Sequence, residues 1–196
     1  MKNKFFSWRH FYEKHFGIIK EYPSSCLDGP IKGFIPIIIS RDLTLDMVIK
    51  KYKEVGVNVL FSEEQLNSLK NCRENSCDYI IITGEYPIYR RQMGRDNVNP
   101  VSEDEGLTFI EGLILFLYHR EMGVELNAFV LQASFCLDSR DKKLFPYFYK
   151  SGRESFLIPI GYEQVRNMAD PAYLIGIVRE EIIDVEQEQA ERVLVA

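Results

Sequence analysis

Residues Ala128–Ile160 read AFVLQASFCLDSRDKKLFPYFYKSGRESFLIPI. Three apolar or aromatic runs, Ala128–Cys136, Leu144–Tyr149 and Phe156–Ile160, are separated by DSRDKK and KSGRE. Both separators are rich in residues that turn a chain. Asp and Ser hydrogen-bond their own backbone, and Gly152 tolerates the positive φ that a tight turn needs. Links this short join strands as hairpins, so the segment predicts an antiparallel meander. Tyr173–Val178 predicts one further strand or a short helix.

Upstream the periodicity changes. Over residues 3–16, Phe5, Trp8, Tyr12 and either His15 or Phe16 share one face of an amphipathic helix, and Gly17 stands at the C-terminal cap position. PSSCLDGPIKG is a loop. Phe34–Ser40 is a β-branched run in which Pro36, lacking an amide hydrogen, restricts the strand to an edge or requires it to start there. DLTLDMVIKKYKEVG predicts a helix from Asp42, stopped by Gly56, followed by a short strand over Val57–Phe61. The S-x-x-Q box at Ser62–Gln65 predicts a helix reaching about Cys72, and Tyr79–Thr83 a strand. A second box, Ser102–Glu105, predicts the start of a long helix, SEDEGLTFIEGLILFLYHREMG. Acids in its first turn and His119 and Arg120 in its last suit the helix dipole. Its apolar face is wide enough to be buried on more than one side. The tail at 179–196 is acidic and predicts an exposed helix or a frayed end. Helices dominate the N-terminal two thirds, and a mixed or antiparallel sheet is completed by the C-terminal meander. That segregation is the signature of an α+β fold, read here as one domain over residues 1–196.

Composition narrows the function classes. The 196 residues are 46% hydrophobic and 27% charged, the balance of a globular chain. A net charge of −5 argues against general nucleic-acid binding, which demands a basic face. The longest apolar runs, Phe34–Ile39 and Leu113–Tyr118, are too short to span a bilayer, and no targeting segment is visible at the N-terminus. Cys26, Cys72, Cys77 and Cys136 match no zinc spacing and read as reduced thiols of a cytoplasmic protein. His10 and His15 are five residues apart, not the four that would let both bind one metal from a single helix face. The expectation is no metal and no cofactor. No nucleophile elbow, phosphate-binding loop, dinucleotide fingerprint or metalloprotease motif occurs.

One basic cluster stands out in this acidic chain. YIIITGEYPIYRRQMGRDNVNP at Tyr79–Pro100 runs from a strand into a loop bearing Arg90, Arg91 and Arg95, with Tyr86 and Tyr89 beside them. Guanidinium forks bind carboxylates and phosphates bidentately, and strand ends are where folds present such groups. Arg140 and Arg153, in the two later turns, are candidates to converge with them. Pairing of the arginines with Glu85 and Asp96 is the competing structural reading. The aromatic face of the N-terminal helix offers another surface, for a partner or a second copy of the chain, against the alternative that it packs on the protein's own core.

The order of motifs from Tyr79 to Val178 resembles an uncharacterised bacterial protein family of unknown function. The shared features are an apolar strand and loop, the helix start NPVSEDEGL, the polar turn in CLDSRDKKLFP, a Gly–Arg turn at Gly152–Arg153, and the final Leu174–Ile175–Gly176. The resemblance covers about half of the chain. It implies that NPVSEDEGL and the Ser139–Arg140–Asp141 turn belong together in space, and it supplies no catalytic residue.

Three functional readings follow. The leading one is a small cytoplasmic binding or regulatory module without classical catalytic machinery, whose unknown anionic small molecule or protein partner meets Tyr86, Arg90, Arg91, Arg95, Arg140 and Arg153. The second is an enzyme acting on a phosphate- or carboxylate-bearing small molecule, with Glu85, Asp96, Asp141 or Tyr86 moving protons. The third is a homo-oligomeric interaction module built through the N-terminal helix.

Overall fold

The computed structural model describes residues 7–22, 34–73, 78–84, 88–89, 106–126, 128–161, 164, 172–173 and 176–181. In chain order the elements are α1 (Trp8–Phe16), β1 (Phe34–Ile39), α2 (Leu45–Glu54), β2 (Val57–Val59), α3 (Glu63–Asn67), β3 (Lys70–Asn71), β4 (Tyr79–Gly84), β5 (Ile88–Tyr89), α4 (Phe109–Glu121), β6 (Ala128–Val130), β7 (Ser134–Leu137), β8 (Lys143–Ser151), β9 (Glu154–Gly161), β10 (Ala172–Tyr173) and β11 (Gly176–Glu181). The fold is α+β, with α1–α4 all preceding the antiparallel strands β6–β9.

Two sheets enclose α4. The smaller is antiparallel, in the order β1-β4-β11. The larger has eight strands in the order β2-β9-β8-β6-β10-β5, with β7 paired to β8 and to β3. It is mixed, because β2 runs parallel to β9 and β10 parallel to β6, while β8 and β9 pair antiparallel along their full length from Leu144↔Gly161 to Ser151↔Glu154. Pro36 sits in β1, which among the described residues is an edge strand paired with β4, a position that tolerates a residue without an amide hydrogen.

Helix α4 is buried nearly all round, as its sequence requires: Phe109, Ile110, Leu113, Ile114, Leu115 and Leu117 are all core. It packs on β1 of the smaller sheet, and Phe116 meets Phe148 of β8 with ring centroids 5.0 Å apart. Tyr52 of α2 approaches Phe109 edge-on at 5.4 Å, and Trp8 of α1 stacks on Tyr118 at 5.9 Å. A Cβ on Gly112 would lie 2.4 Å from Leu131 Cδ2, so this glycine sets how closely α4 approaches the chain beyond β6. The aromatic stripe of α1 is likewise internal. Trp8, Phe11 and Tyr12 are buried, and the Tyr12 hydroxyl donates to Ile38 O and accepts from Ser40 N. Gly17 caps α1 with φ 69°.

Four expectations are corrected. The helix opened by the Ser62–Gln65 box ends at Asn67 rather than near Cys72, because Lys70 and Asn71 pair with Phe135 and Ser134 as β3. The long helix opens at a different box: Thr108 is the N-cap and Glu111 its reciprocal partner, whereas Gly106 and Leu107 are not helical. Ser102–Glu105 lie outside the described residues. The Ala128–Cys136 run is two strands, broken by a turn at Gln132–Ala133. Finally, Arg179–Glu181 are not tail but strand, paired with Tyr79–Ile81 of β4. Among the described residues no helix is long and apolar enough to cross a membrane.

Candidate functional site

Tyr86, Arg90, Arg91 and Arg95 lie outside the described residues. Arg140 and Arg153 are placed, and they do not converge. They occupy the turns at opposite ends of β8, and nine strand residues separate such turns by about 26 Å. Around Arg140 the turn is self-contained: the Asp138 carboxylate accepts the amide hydrogens of Arg140 (2.8 Å) and Lys142 (2.9 Å), and Asp141 takes φ 57°. The amide of Lys142, then that of Arg140, holds the Asp138 carboxyl below the usual aspartate value.

Arg153 lies in different company. Gly152, at φ 61°, turns the β8–β9 hairpin so that Lys150, Arg153 and Ser155 border a cleft of about 600 Å³. Its other walls are the C-terminal end of α2 (Val55, Gly56), the last two turns of α4 (Phe116, Arg120) and the following segment through Leu126. Phe116, Val124 and Leu126 make the lining partly apolar. Arg120 sits at the C-terminal end of α4, where the helix dipole favours a cation, and its Nη1 donates to Val55 O at 2.9 Å. Lys150 is ion-paired with Glu125 on the cleft wall. Arg153 is exposed and makes no ion pair or side-chain hydrogen bond among the described residues.

The opposite end of α4 is closed. Glu111 is 1% exposed and receives four hydrogen bonds. Arg73 Nε (2.9 Å) and the Tyr79 hydroxyl (2.9 Å) donate to Oε1, and Arg73 Nη2 and the Thr108 amide (2.7 Å) donate to Oε2. A carboxylate has about four acceptor sites, so none remains for a ligand. Burial works against the charge on Arg73, but the hydrogen bonds and charge of Glu111 raise its pKa further above the ordinary value. The amide of Phe109 donates to Ser134 Oγ (2.7 Å) and that of Glu111 to Thr108 Oγ1 (3.3 Å). An anion at this N-terminus would have to displace internal partners.

The histidines make no catalytic constellation among the described residues. His119 is 2% exposed, neither ring nitrogen has a hydrogen-bond partner, and burial lowers its pKa to about 4. His15 Nε2 lies 3.0 Å from Glu121 Oε1, and Lys14 pairs with the same oxygen. Burial lowers the His15 pKa in spite of that carboxylate. His10 is exposed, as is Cys72, and Cys136 is buried. The described residues contain no group of three His, Cys, Asp or Glu placed to hold a metal.

Sequence reasoning singled out Arg153 and passed over Arg120, Lys150 and Glu111. Lys150 carried a usable signal, since strand alternation places it on the same face as Phe148 and therefore toward α4. No family model matches the chain, and neither a curated protein nor a solved structure does.

Proposed function

We propose that the protein is a binding module that works without catalytic machinery of its own and recognises an anionic group of its ligand or partner at the cleft between α4 and the β8–β9 hairpin. The observation that carries this reading is Arg153: a guanidinium without a partner among the described residues, on the border of a cleft that also holds Arg120 and Lys150. Three cations face one acid there in a chain of net charge −5, and guanidinium is the side chain best shaped to grip a carboxylate or phosphate. The saturation of Glu111 and the unpartnered, neutral burial of His119 favour binding over proton-transfer chemistry, since neither group can reach a substrate without dismantling core structure.

The test is an NMR titration of the isotopically labelled protein with acetate and inorganic phosphate. Anion-dependent shifts are expected at residues 150–155 and at Arg120, and they should vanish in Arg153→Gln/Lys150→Gln while the unfolding transition of that variant stays near that of the parent. Titrations that move neither the hairpin nor α4's last turn would overturn the reading.

A further inference from the structure

We infer that the group this cleft takes is a peptide carboxylate, an Asp or Glu side chain flanked by apolar residues on an extended segment of a protein partner. The inference rests on the proposed binding role of the cleft and names its occupant.

The electrostatics select a single negative charge. Of the three cations, Arg120 is already donating to Val55 O and Lys150 is already paired with Glu125, so Arg153 is the one whose hydrogen-bonding capacity is uncommitted among the described residues. Two helix C-termini also border the cleft, that of α2 at Val55 and Gly56 and that of α4 at Arg120 and Gly123. Each carries about half a negative charge, although most of the terminal carbonyls already accept hydrogen bonds within the chain, Lys51 O and Lys53 O from the amides of Val55 and Gly56, and His119 O and Arg120 O from those of Val124 and Gly123. The two ends offset much of the remaining positive charge. A phosphate group, carrying about two negative charges, calls for several convergent N–H donors, and one uncommitted guanidinium does not supply them. A carboxylate needs one guanidinium fork, and one is present.

The apolar part of the lining selects what carries that carboxylate. Phe116 and Val124 are half-buried and Leu126 is buried, beside the cationic edge. Sites that engulf small ligands cover most of the ligand's surface, whereas these walls remain partly open. A partly open cleft with a cationic edge, and with Phe116 and Val124 among its lining, suits a chain segment lying across it, an acidic side chain on Arg153 and an apolar neighbour against Phe116.

A displayed library of random nonamer peptides, panned against the whole protein, tests this. Peptides that survive should carry Asp or Glu next to apolar residues, and synthetic copies should bind about tenfold or more weakly to Arg153→Gln, in line with the loss of one charge-assisted hydrogen bond. Copies with the acid changed to its amide should lose as much. Arg153→Lys should restore part of the loss, since charge without the fork is a poorer match. No enrichment, enrichment of peptides without acids, or binding indifferent to Arg153→Gln would overturn the inference. Acetate and phosphate titrations of the same sample separate the two failures. If acetate still moves the hairpin resonances, only the peptide assignment falls. If neither anion does, the binding reading falls with it.

Discussion

The two ends of α4 solve the same problem in opposite ways. At the N-terminal end, Glu111 is buried beside the half-buried Arg73, and every acceptor site on the carboxylate is filled from within the protein. At the C-terminal end, Arg120, Lys150 and Arg153 line an open cleft, and their internal partners thin out from a backbone carbonyl, to one acid, to none among the described residues. The lesson is that charge in this molecule has two uses. Where it is buried and saturated it holds chains together, and where it is exposed and unsatisfied it is available to something else.

Removing one member of the closed node should produce the largest effect. Glu111→Gln keeps the shape but leaves Arg73 charged among half-buried groups with its bidentate partner gone. Breaking a buried pair in this way costs about 3–5 kcal/mol, readable as a drop in the denaturation midpoint. A loss below about 1 kcal/mol would mean that solvent relaxes into the node, and the contrast between the two ends would collapse.

His119 tests a second buried group near the open end. Its imidazole has a folded pKa of about 4 against an ordinary 6.5, so the unfolded chain takes up a proton that the folded chain refuses. Stability is therefore fullest above pH 6.5 and declines as pH falls toward 4. The total loss from this group is about 3 kcal/mol. The C-terminal dipole of α4 pulls the other way, but it is worth about 0.3–2 kcal/mol and burial prevails. His119→Leu should flatten the part of the urea-midpoint profile between pH 6.5 and 4 that this residue causes. An unchanged slope would show that the ring is hydrated in the folded state.

Gly112→Ala probes the packing between the two ends. The added methyl would meet Leu131, itself fully buried, at 2.4 Å from Cδ2. Overpacking of this kind costs about 1–3 kcal/mol, offset in part by the better helix propensity of alanine. A neutral or stabilising result in calorimetry would mean that Leu131 has room to rotate.

How far the sequence revealed this arrangement depends on the range of the forces involved. Features settled within a turn of helix or hairpin were legible: the Ser62–Gln65 box, the Gly17 cap, the positive φ of Gly152 and the edge placement of Pro36. The start of α4 was not. Ser102–Glu105 and Thr108–Glu111 carry the same signature six residues apart, and local chemistry does not rank them. Thr108–Glu111 is reinforced by Ser134, 25 residues beyond Phe109, and by Arg73, 38 residues before Glu111. Strand β3 exists only through its pairing with β7, so no periodicity of its own announced it. The cleft was half legible. Arg153 stood out as a basic residue in a turn, but its meeting with Arg120 needs α2, α4 and the hairpin to be in place together. Arg140 had the same local appearance and went to the other end of β8.

That pair supplies the smallest expected effect on stability and the most discriminating one on function. Both arginines are exposed in hairpin turns. Arg140→Gln and Arg153→Gln should each leave the unfolding free energy within about 0.5 kcal/mol of the parent, as is usual for surface positions without tight partners. In acetate titrations followed by NMR they should part company. Arg140→Gln should bind as the parent does, because Arg140 lies about 26 Å away at the far end of the strand. Arg153→Gln should weaken binding at the cleft by about tenfold, the worth of one charge-assisted hydrogen bond. Equal effects from the two substitutions would show that acetate responds to net charge alone. In that case, the open end of α4 would be a solvated surface with no more claim to recognition than the Arg140 turn.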